Sequence, residues 1–359
     1  MSFDYTLRLQ KIEAVLQKAL PSHPSAAWFR DNFFAGDSEA GLSYCNAASP
    51  PLIEPAVDLL NRGGKRWRPL LMLLVCETLG GGEAALPLSP LVEFCHNASL
   101  IHDDIEDNSA ERRGKPAVHL LYGTDTAINS GCFLYFLSLA CIDRWDAPAE
   151  AKLELYSLWA RQMRALHLGQ SLDIAWHRSW ETLPSIDDYY AMCALKTGVL
   201  ARFAAGAGVM AAARASAKAD ITPQSTATAF SNAAEKLGVG FQILDDVKNL
   251  AEGVPGKKRG DDVVEGKKSL PLLLYLHGAD SNASETETRR KFVTRCIRAA
   301  ASGGASAPEV EELITALTES GCLDAAAATG RSFLARAEET FSSVGGKNGP
   351  LSGFISLIT

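Results

Sequence analysis

Residues 90–116 read PLVEFCHNASLIHDDIEDNSAERRGKP, and the fold turns on how this stretch is read. Leu91, Phe94, Cys95, Ala98, Ile101 and Ile105 recur at steps of three and four, the spacing of a helix with one buried face. Asp103, Asp104 and Asp107 fall at its far end. Residues four apart share a helix face, so Asp103 and Asp107 point the same way with Asp104 one step round, forming a claw of carboxylates. Arg112 and Arg113 follow directly. Oxygen donors for a hard cation thus stand beside guanidinium forks that suit phosphate oxygens, and the implied ligand is a metal-bound polyphosphate.

A second acidic stretch, FQILDDVKNLAEGVPGKKRGDDVVEGKKSLP at 241–271, answers the first. Asp245 and Asp246 lie on another apolar helix beside Gln242, with Lys257 and Lys267 in the segment that follows. If the two helices face each other, five carboxylates converge. Like charges about 4 Å apart repel by about 4 kcal/mol at the effective dielectric of protein sites, so the set calls for divalent cations. Magnesium suits it, because it prefers carboxylate oxygen and completes its shell with water and substrate phosphates. A lone DDxxD is more often a solvated helix face. Two such clusters, each on an apolar helix and each followed by basic residues, favour a site.

In order, these stretches resemble the trans-isoprenyl diphosphate synthases, or polyprenyl synthetases. The landmarks are GGKRWRP at 63–69, the His96 to Gly114 segment, GQSLD at 169–173, KTG at 196–198, FQILDD at 241–246 and GKKRGDDVVEGKKSLP at 256–271, so that the resemblance covers roughly residues 52–275. It implies an all-α, isoprenoid-synthase-like helical bundle with a central apolar cavity between two aspartate-bearing helices. It further implies that Asp103, Asp104, Asp107 and Asp245 hold magnesium, about three ions in the family, across the diphosphate of an allylic substrate, with Asp246 close by. Arg112, Lys196, Gln242 and Lys257 would grip the diphosphate oxygens, with Thr197 and Lys267 also at the substrate. Isopentenyl diphosphate would lie against Gly64, Lys65, Arg68, His96 and Arg113. The implied reaction ionises the allylic diphosphate, alkylates isopentenyl diphosphate and eliminates a proton, with Asp103, Asp104, Asp107, Lys196 and Asp245 as the catalytic set. A class I terpene cyclase needs no second diphosphate site, and GGKRWRP and Arg113 argue against it. A non-catalytic partner subunit is marked by loss of the claw, which is complete here. The family is typically homodimeric.

Two details bear on this chain in particular. Ala98 and Ser99, five and four residues before Asp103, are small, as is Cys95 a turn deeper. Family members that stop at C15 often carry a bulky aromatic at one of the first two positions, so the expectation is a product of C20 or longer, geranylgeranyl diphosphate first. The other detail is Asn249, where many relatives have a third aspartate; an amide there can orient a metal-bound water. The loop from Gly253 to Gly266 is the candidate lid.

Composition sets the bounds. A chain of 359 residues with 47% hydrophobic content can bury a sizeable core, and its net charge of −7 excludes general nucleic-acid binding. Eight cysteines show no CxxC pair, which reads as reduced, apolar cysteines of a cytoplasmic protein. No apolar run reaches the ~18 residues of a membrane span. Leu9, Ile12, Leu16 and Leu20 make a first amphipathic helix without the apolar core of a signal peptide. Beyond it, residues 21–51 read as an irregular connection holding a short helix near 26–34. Further helices are expected near 52–62, 66–79, 117–143, 148–178, 186–215 and 226–250. Within the C-terminal helices of 276–359, a capping box Ser306–Glu309 opens one helix and Gly321 closes it. The whole chain is expected to form one helical domain.

Overall fold

Apolar residues spaced by three and four become helix along nearly the whole chain. The protein is described by a computed structural model covering residues 5–34, 42–179, 183–215, 224–253, 258–278, 283–346 and 349–358, with the side chains of 42–48, 224 and 283 apart. Its helices are α1 (Thr6–Ala19), α2 (Ala26–Phe33), α3 (Leu42–Asn61), α4 (Trp67–Thr78), α5 (Ser89–Glu106), α6 (Val118–Tyr122), α7 (Thr124–Leu137), α8 (Ala140–Asp143) and α9 (Ala149–Arg178). There follow α10 (Ile186–Cys193), α11 (Val199–Ala215), α12 (Gln224–Ala251), α13 (Asp261–Glu265), α14 (Leu270–His277), α15 (Ala283–Gly303), α16 (Pro308–Glu319), α17 (Cys322–Gly345) and α18 (Phe354–Ile358). Among the described residues the strands are β1 (Glu111–Arg112) and β2 (Lys115–Pro116), an antiparallel ribbon after α5.

Helix α4 is the axis of the bundle. Residues Trp67 to Cys76 are all buried, which a helix achieves only when neighbours surround it. It lies against α11, where Gly208 lets the two backbones close: a Cβ there would stand 2.4 Å from the Met72 carbonyl oxygen. The main core runs from Ile12 and Leu16 on α1 through α4, α5 and α11 to Phe341 on α17. A second cluster, built on Leu250, Leu272, Val293, Val310 and Leu313, holds α14, α15 and α16 beside the end of α12.

The structure departs from the sequence reading in several places. The 117–143 segment is three helices, interrupted at Gly123 with φ +90° and again after Leu137. Helix α3 starts at Leu42 and runs through Pro50, Pro51 and Pro55, upstream of the expected start near 52. The capping box does not form, because α16 begins at Pro308 with Ala307 as its cap, and proline at the first helical position needs no partner for a missing N–H. Gly321, at φ +72°, does follow the end of α16 as expected. Two stretches, Thr124–Asp143 and Ile186–Ala215, are long and apolar enough to cross a membrane by composition, contrary to the sequence reading. The second has 72% of its window buried and is a core helix, whereas the first is 50% buried and leaves Ile128 and Phe136 exposed.

Candidate active site

The end of α5, the ribbon after it, and the polar ends of α9, α11 and α12 enclose a cavity of about 430 Å³. Three local devices shape it. Ribbon β1–β2 turns through Arg113 and Gly114, with φ of +53° and +75°, the two positive values of a type I′ turn. That turn carries Arg112 back onto α5, where Nε donates to Asp104 Oδ1 at 2.8 Å and the guanidinium reaches Asp103 Oδ2 at 3.5 Å. Arg113 meanwhile lies over Gly64, whose absent Cβ would come within 3.0 Å of Arg113 NH2. Between α10 and α11, residues Ala194–Gly198 form a π-helical turn pressed against two glycines. A Cβ on Gly169 would meet the Lys196 backbone nitrogen at 2.6 Å, and one on Gly238 would meet Gly198 Cα at 2.5 Å. Gly169 of GQSLD and Gly238 on α12 therefore permit the approach that brings Lys196 into the site.

At one end of the cavity stand the carboxylates. Asp103 Oδ1 accepts from Lys196 Nζ and Gln170 Nε2, both at 3.0 Å. Lys196 also meets Asp173 Oδ2 at 2.5 Å, and Asp173 Oδ1 lies 2.7 Å from His177 Nε2. Burial by itself lowers the Lys196 pKa, yet Asp103 and Asp173 raise it overall, so the ammonium stays charged. Asp107, closing α5, has Lys267 Nζ at 3.3 Å; burial and the carboxylates of Asp103 and Glu265 push its pKa up against that lysine. Across the cavity Asp245 is exposed to it. Asp246 instead accepts from Tyr189 Oη at 2.7 Å and Gln242 Nε2 at 2.8 Å, and Gln242 accepts from Thr197 Oγ1 at 2.6 Å. Burial and neighbouring Asp262 push the Asp246 carboxyl up to about 7.

The other end is cationic. Arg68 is buried against His96, with NH1 3.3 Å from Nε2, and Arg68 Nε has no partner among the described residues. Burial pushes Arg68 down to about 10 with Arg113 adding repulsion, and pushes Arg113 to about 10 with Arg66 and Arg112 adding theirs. His96 is held well below its usual range by burial and by Arg68 and Arg113, so it faces this cluster as neutral imidazole. Several guanidinium groups drawn out of water without full compensation constitute an anion site. Arg66 is not part of it: buried at the start of α4, it bonds Glu93 at 2.8 Å and Glu13 at 3.0 Å and ties α1 to α5. Lys65 donates to the Ile358 carbonyl oxygen and loses proton affinity to burial and to Lys248.

Most of the residues expected from the sequence line this one cavity, namely Gly64, Lys65, Arg68, His96, Ser99, Asp103, Arg112, Arg113, Lys196, Thr197, Gln242, Asp245 and Lys267. Others do not. Asp104 is fully buried and engages Arg112, so it serves the arginine instead of facing the cavity, and Asp107, its side chain buried beside Lys267, is also off the lining. Ala98 and Cys95 are also fully buried and off the lining. Lys257 and part of the expected lid lie outside the described residues, and Lys258 points to solvent. The expected convergence of carboxylates is also corrected. Among the described residues no three metal-binding side chains gather around one point, and Arg112, Lys196 and Lys267 compensate the claw. The donors nonetheless fit a hard divalent cation, being carboxylate oxygens alone, with Asp103 and Asp245 bordering one space. Sequence reading missed Tyr189, His177, Asp262 and Glu265; only GDDVVEGK carried a signal for the last two.

Comparison with known proteins gives the same picture. Residues 49–304 match the family model described as Polyprenyl synthetase. The chain belongs to the polyprenyl synthetase family. It is thus a polyprenyl diphosphate synthase, an enzyme that transfers prenyl groups. This prenyl synthase is 32% identical over 297 residues to the geranylfarnesyl diphosphate synthase of Aeropyrum pernix, covering 80% of this chain and 86% of that one. Its fold matches the crystal structure of geranylgeranyl pyrophosphate synthetase from Pyrococcus horikoshii with a TM-score of 0.76 at 25% identity, over 98% of this chain and 95% of the other. It also matches a polyprenyl synthase from Caulobacter crescentus complexed with calcium and isoprenyl diphosphate, with a TM-score of 0.75 at 23% identity over 99% and 94%.

Proposed function

We propose that this prenyl synthase condenses isopentenyl diphosphate with an allylic diphosphate to give a product of C20 or longer, geranylgeranyl diphosphate first. The observation that carries the reading is one cavity with two anion-binding poles, Arg112–Lys196–Lys267 at the carboxylates and Lys65–Arg68–Arg113 opposite. A terpene cyclase has no use for the second. The allylic diphosphate lies at the first pole, gripped by Arg112, Lys196 and Lys267. Magnesium held by Asp103, Asp107 and Asp245, when bound, neutralises the charge that develops on the departing pyrophosphate. As the allylic carbon–oxygen bond breaks, the fixed cations of the first pole stabilise the same charge. Arg68, His96 and Arg113 hold isopentenyl diphosphate so that its double bond meets the allylic carbon. The new carbon–carbon bond forms, and the proton released passes to pyrophosphate.

Chain length is the finer question. Asp103, Ser99 and Cys95 share one face of α5, whereas Ala98 belongs with Phe94 and Ile101 on the face turned to the core. An aromatic at Ala98 would therefore overpack the bundle instead of blocking the channel. Below Ser99 the bulk comes from α9, where Trp159 Nε1 donates to Cys95 Sγ at 3.3 Å and its ring lies 6.4 Å from Phe136. From Asp103 to Cys95 the helix rises about 12 Å, so a product chain growing down this face would meet Trp159 at about that depth. The exposed apolar side chains Leu120, Leu121, Ile128 and Phe136 on α6 and α7 support a homodimer through this face. The seven described cysteines are all unpaired, which supports a reducing, cytoplasmic location.

The test is incubation with labelled isopentenyl diphosphate, magnesium and each allylic primer in turn, followed by product sizing. Prenyl transfer giving mainly C20 is expected from the unmodified enzyme, longer products from Trp159→Ala, and shorter ones from Ser99→Phe. Release of cyclised hydrocarbon would overturn the reading. Unchanged length in both variants would remove the channel from this face of α5.

A further inference from the structure

Asn249 sits where many relatives carry an aspartate, and its surroundings assign its two amide atoms separately. The side chain is 1% exposed and borders the cavity. Its Oδ1 accepts the backbone N–H of Asp262 at 3.2 Å, and its own carbonyl accepts the N–H of Gly260 at 3.0 Å. Because a backbone N–H can only donate, the amide oxygen must face Asp262, and this fixes the orientation of the group. Nδ2 is left on the other side, buried, with no acceptor among the described residues. Leaving a buried donor unsatisfied is unfavourable, so the geometry points to an acceptor that arrives with the ligand.

The segment held by Asn249 matters to the site. Gly260 adopts φ +83°, and a Cβ there would stand 2.4 Å from Val310 Cγ1, so only glycine fits where the segment turns against α16. Helix α13 follows at once and presents Asp262. Its end leads to Lys267, which meets Asp107, Asp262 and Glu265. Two bonds from Asn249 thus anchor the element that brings Lys267 to the end of α5.

We propose that Asn249 is a bifunctional positioning residue, not a metal ligand: Oδ1 pins the Gly260–Lys267 segment, and Nδ2 donates to an anionic oxygen of the bound diphosphate. This rests on the diphosphate reading above. It replaces the expectation that the amide orients a metal-held water, because the oxygen suited to that task is already committed to Asp262. Aspartate at this position would keep the pin and lose the donor.

The test uses the full chain and its Asn249→Asp and Asn249→Ala variants. Hydrogen exchange at the Gly260 to Lys267 amides reads the pin, and calorimetric titration with inorganic pyrophosphate, without divalent metal, reads the donor. Protection equal to the unmodified protein is expected in Asn249→Asp, with exchange about tenfold faster or more in Asn249→Ala. Pyrophosphate should bind about tenfold more weakly to both variants. Asn249→Ala adds no charge and Asn249→Asp keeps the pin, so a deficit in both isolates the one group that both variants lack, the amide donor. Undisturbed protection in Asn249→Ala would overturn the pin, and unmodified pyrophosphate affinity in either variant would overturn the donor. Failure of the unmodified chain to bind pyrophosphate at all would instead defeat the diphosphate reading on which both depend.

Discussion

The two aspartate helices look alike in sequence and are stabilised by different means. At the end of α5 every aspartate has a cation: Arg112 for Asp103 and Asp104, Lys196 for Asp103, Lys267 for Asp107. On α12 the buried carboxylate is held by neutral donors, Tyr189 and Gln242, and Asn249 has no charge at all. Asp245 alone of that motif is exposed, whereas Asp246 and Asn249 border the cavity from buried positions. The difference teaches that a repeated motif need not mean a repeated site. The first cluster is a charge-compensated cradle for a cationic ligand shell, while the second offers one open carboxylate on a neutral, hydrogen-bonded base.

The largest expected effect treats the two alike. Asp103→Ala and Asp245→Ala should each lower turnover by about 10³-fold or more, corresponding to about 4 kcal/mol of lost transition-state stabilisation, with helical circular dichroism unchanged. Chelation of magnesium should do the same to the unmodified protein. Full activity in chelator would sink the metal-assisted mechanism on both helices at once.

Stability should separate the helices. Arg112→Ala leaves Asp104 buried without its guanidinium and should cost about 3–5 kcal/mol in chemical denaturation. Tyr189→Phe removes one neutral hydrogen bond from Asp246 and should cost about 1–3 kcal/mol. Equal losses would mean that the ionic and neutral supports are equivalent, and the contrast drawn here would fail. Gly169→Ala belongs on the same scale. Its methyl would press the π-turn that carries Lys196, and about 1–3 kcal/mol of overpacking is expected in thermal unfolding, with a raised KM for the allylic substrate.

The smallest effect sharpens the comparison within α12 itself. Asn249→Ala should reduce kcat/KM by about tenfold, the scale of an outer support, far less than Asp245→Ala. Equal losses in steady-state assays would make Asn249 a direct ligand.

The fold was legible because helical periodicity is a local property. The apolar stripe of α5 and the alternation of long apolar segments with Gly and Pro stops needed no tertiary information. The boundaries that failed were those where distant contacts decide. Gly123 splits the 117–143 segment by adopting φ +90°, and Pro308 supersedes the Ser306 cap. The site was legible as residue types in motifs, but Tyr189 and His177 are ordinary helix residues until α10 and α9 bring them to Asp246 and Asp173.

By itself the sequence determined the helical class, the family, and the chemistry of both ends of the site, since these depend on which residues occur and at what spacing. Only the tertiary structure decided the work of each carboxylate. Asp104 and Asp107 lie near Asp103 in sequence, yet a ribbon turned by Arg113 and Gly114 gives Arg112 to Asp104, and a segment pinned by Asn249 gives Lys267 to Asp107. It likewise decided that Ser99 lines the cavity while Ala98 is buried away from it, and that Trp159 of another helix packs against Cys95. The physical reason is that burial and partner charge set what a side chain can do, and both are properties of neighbours that the chain reaches only when folded.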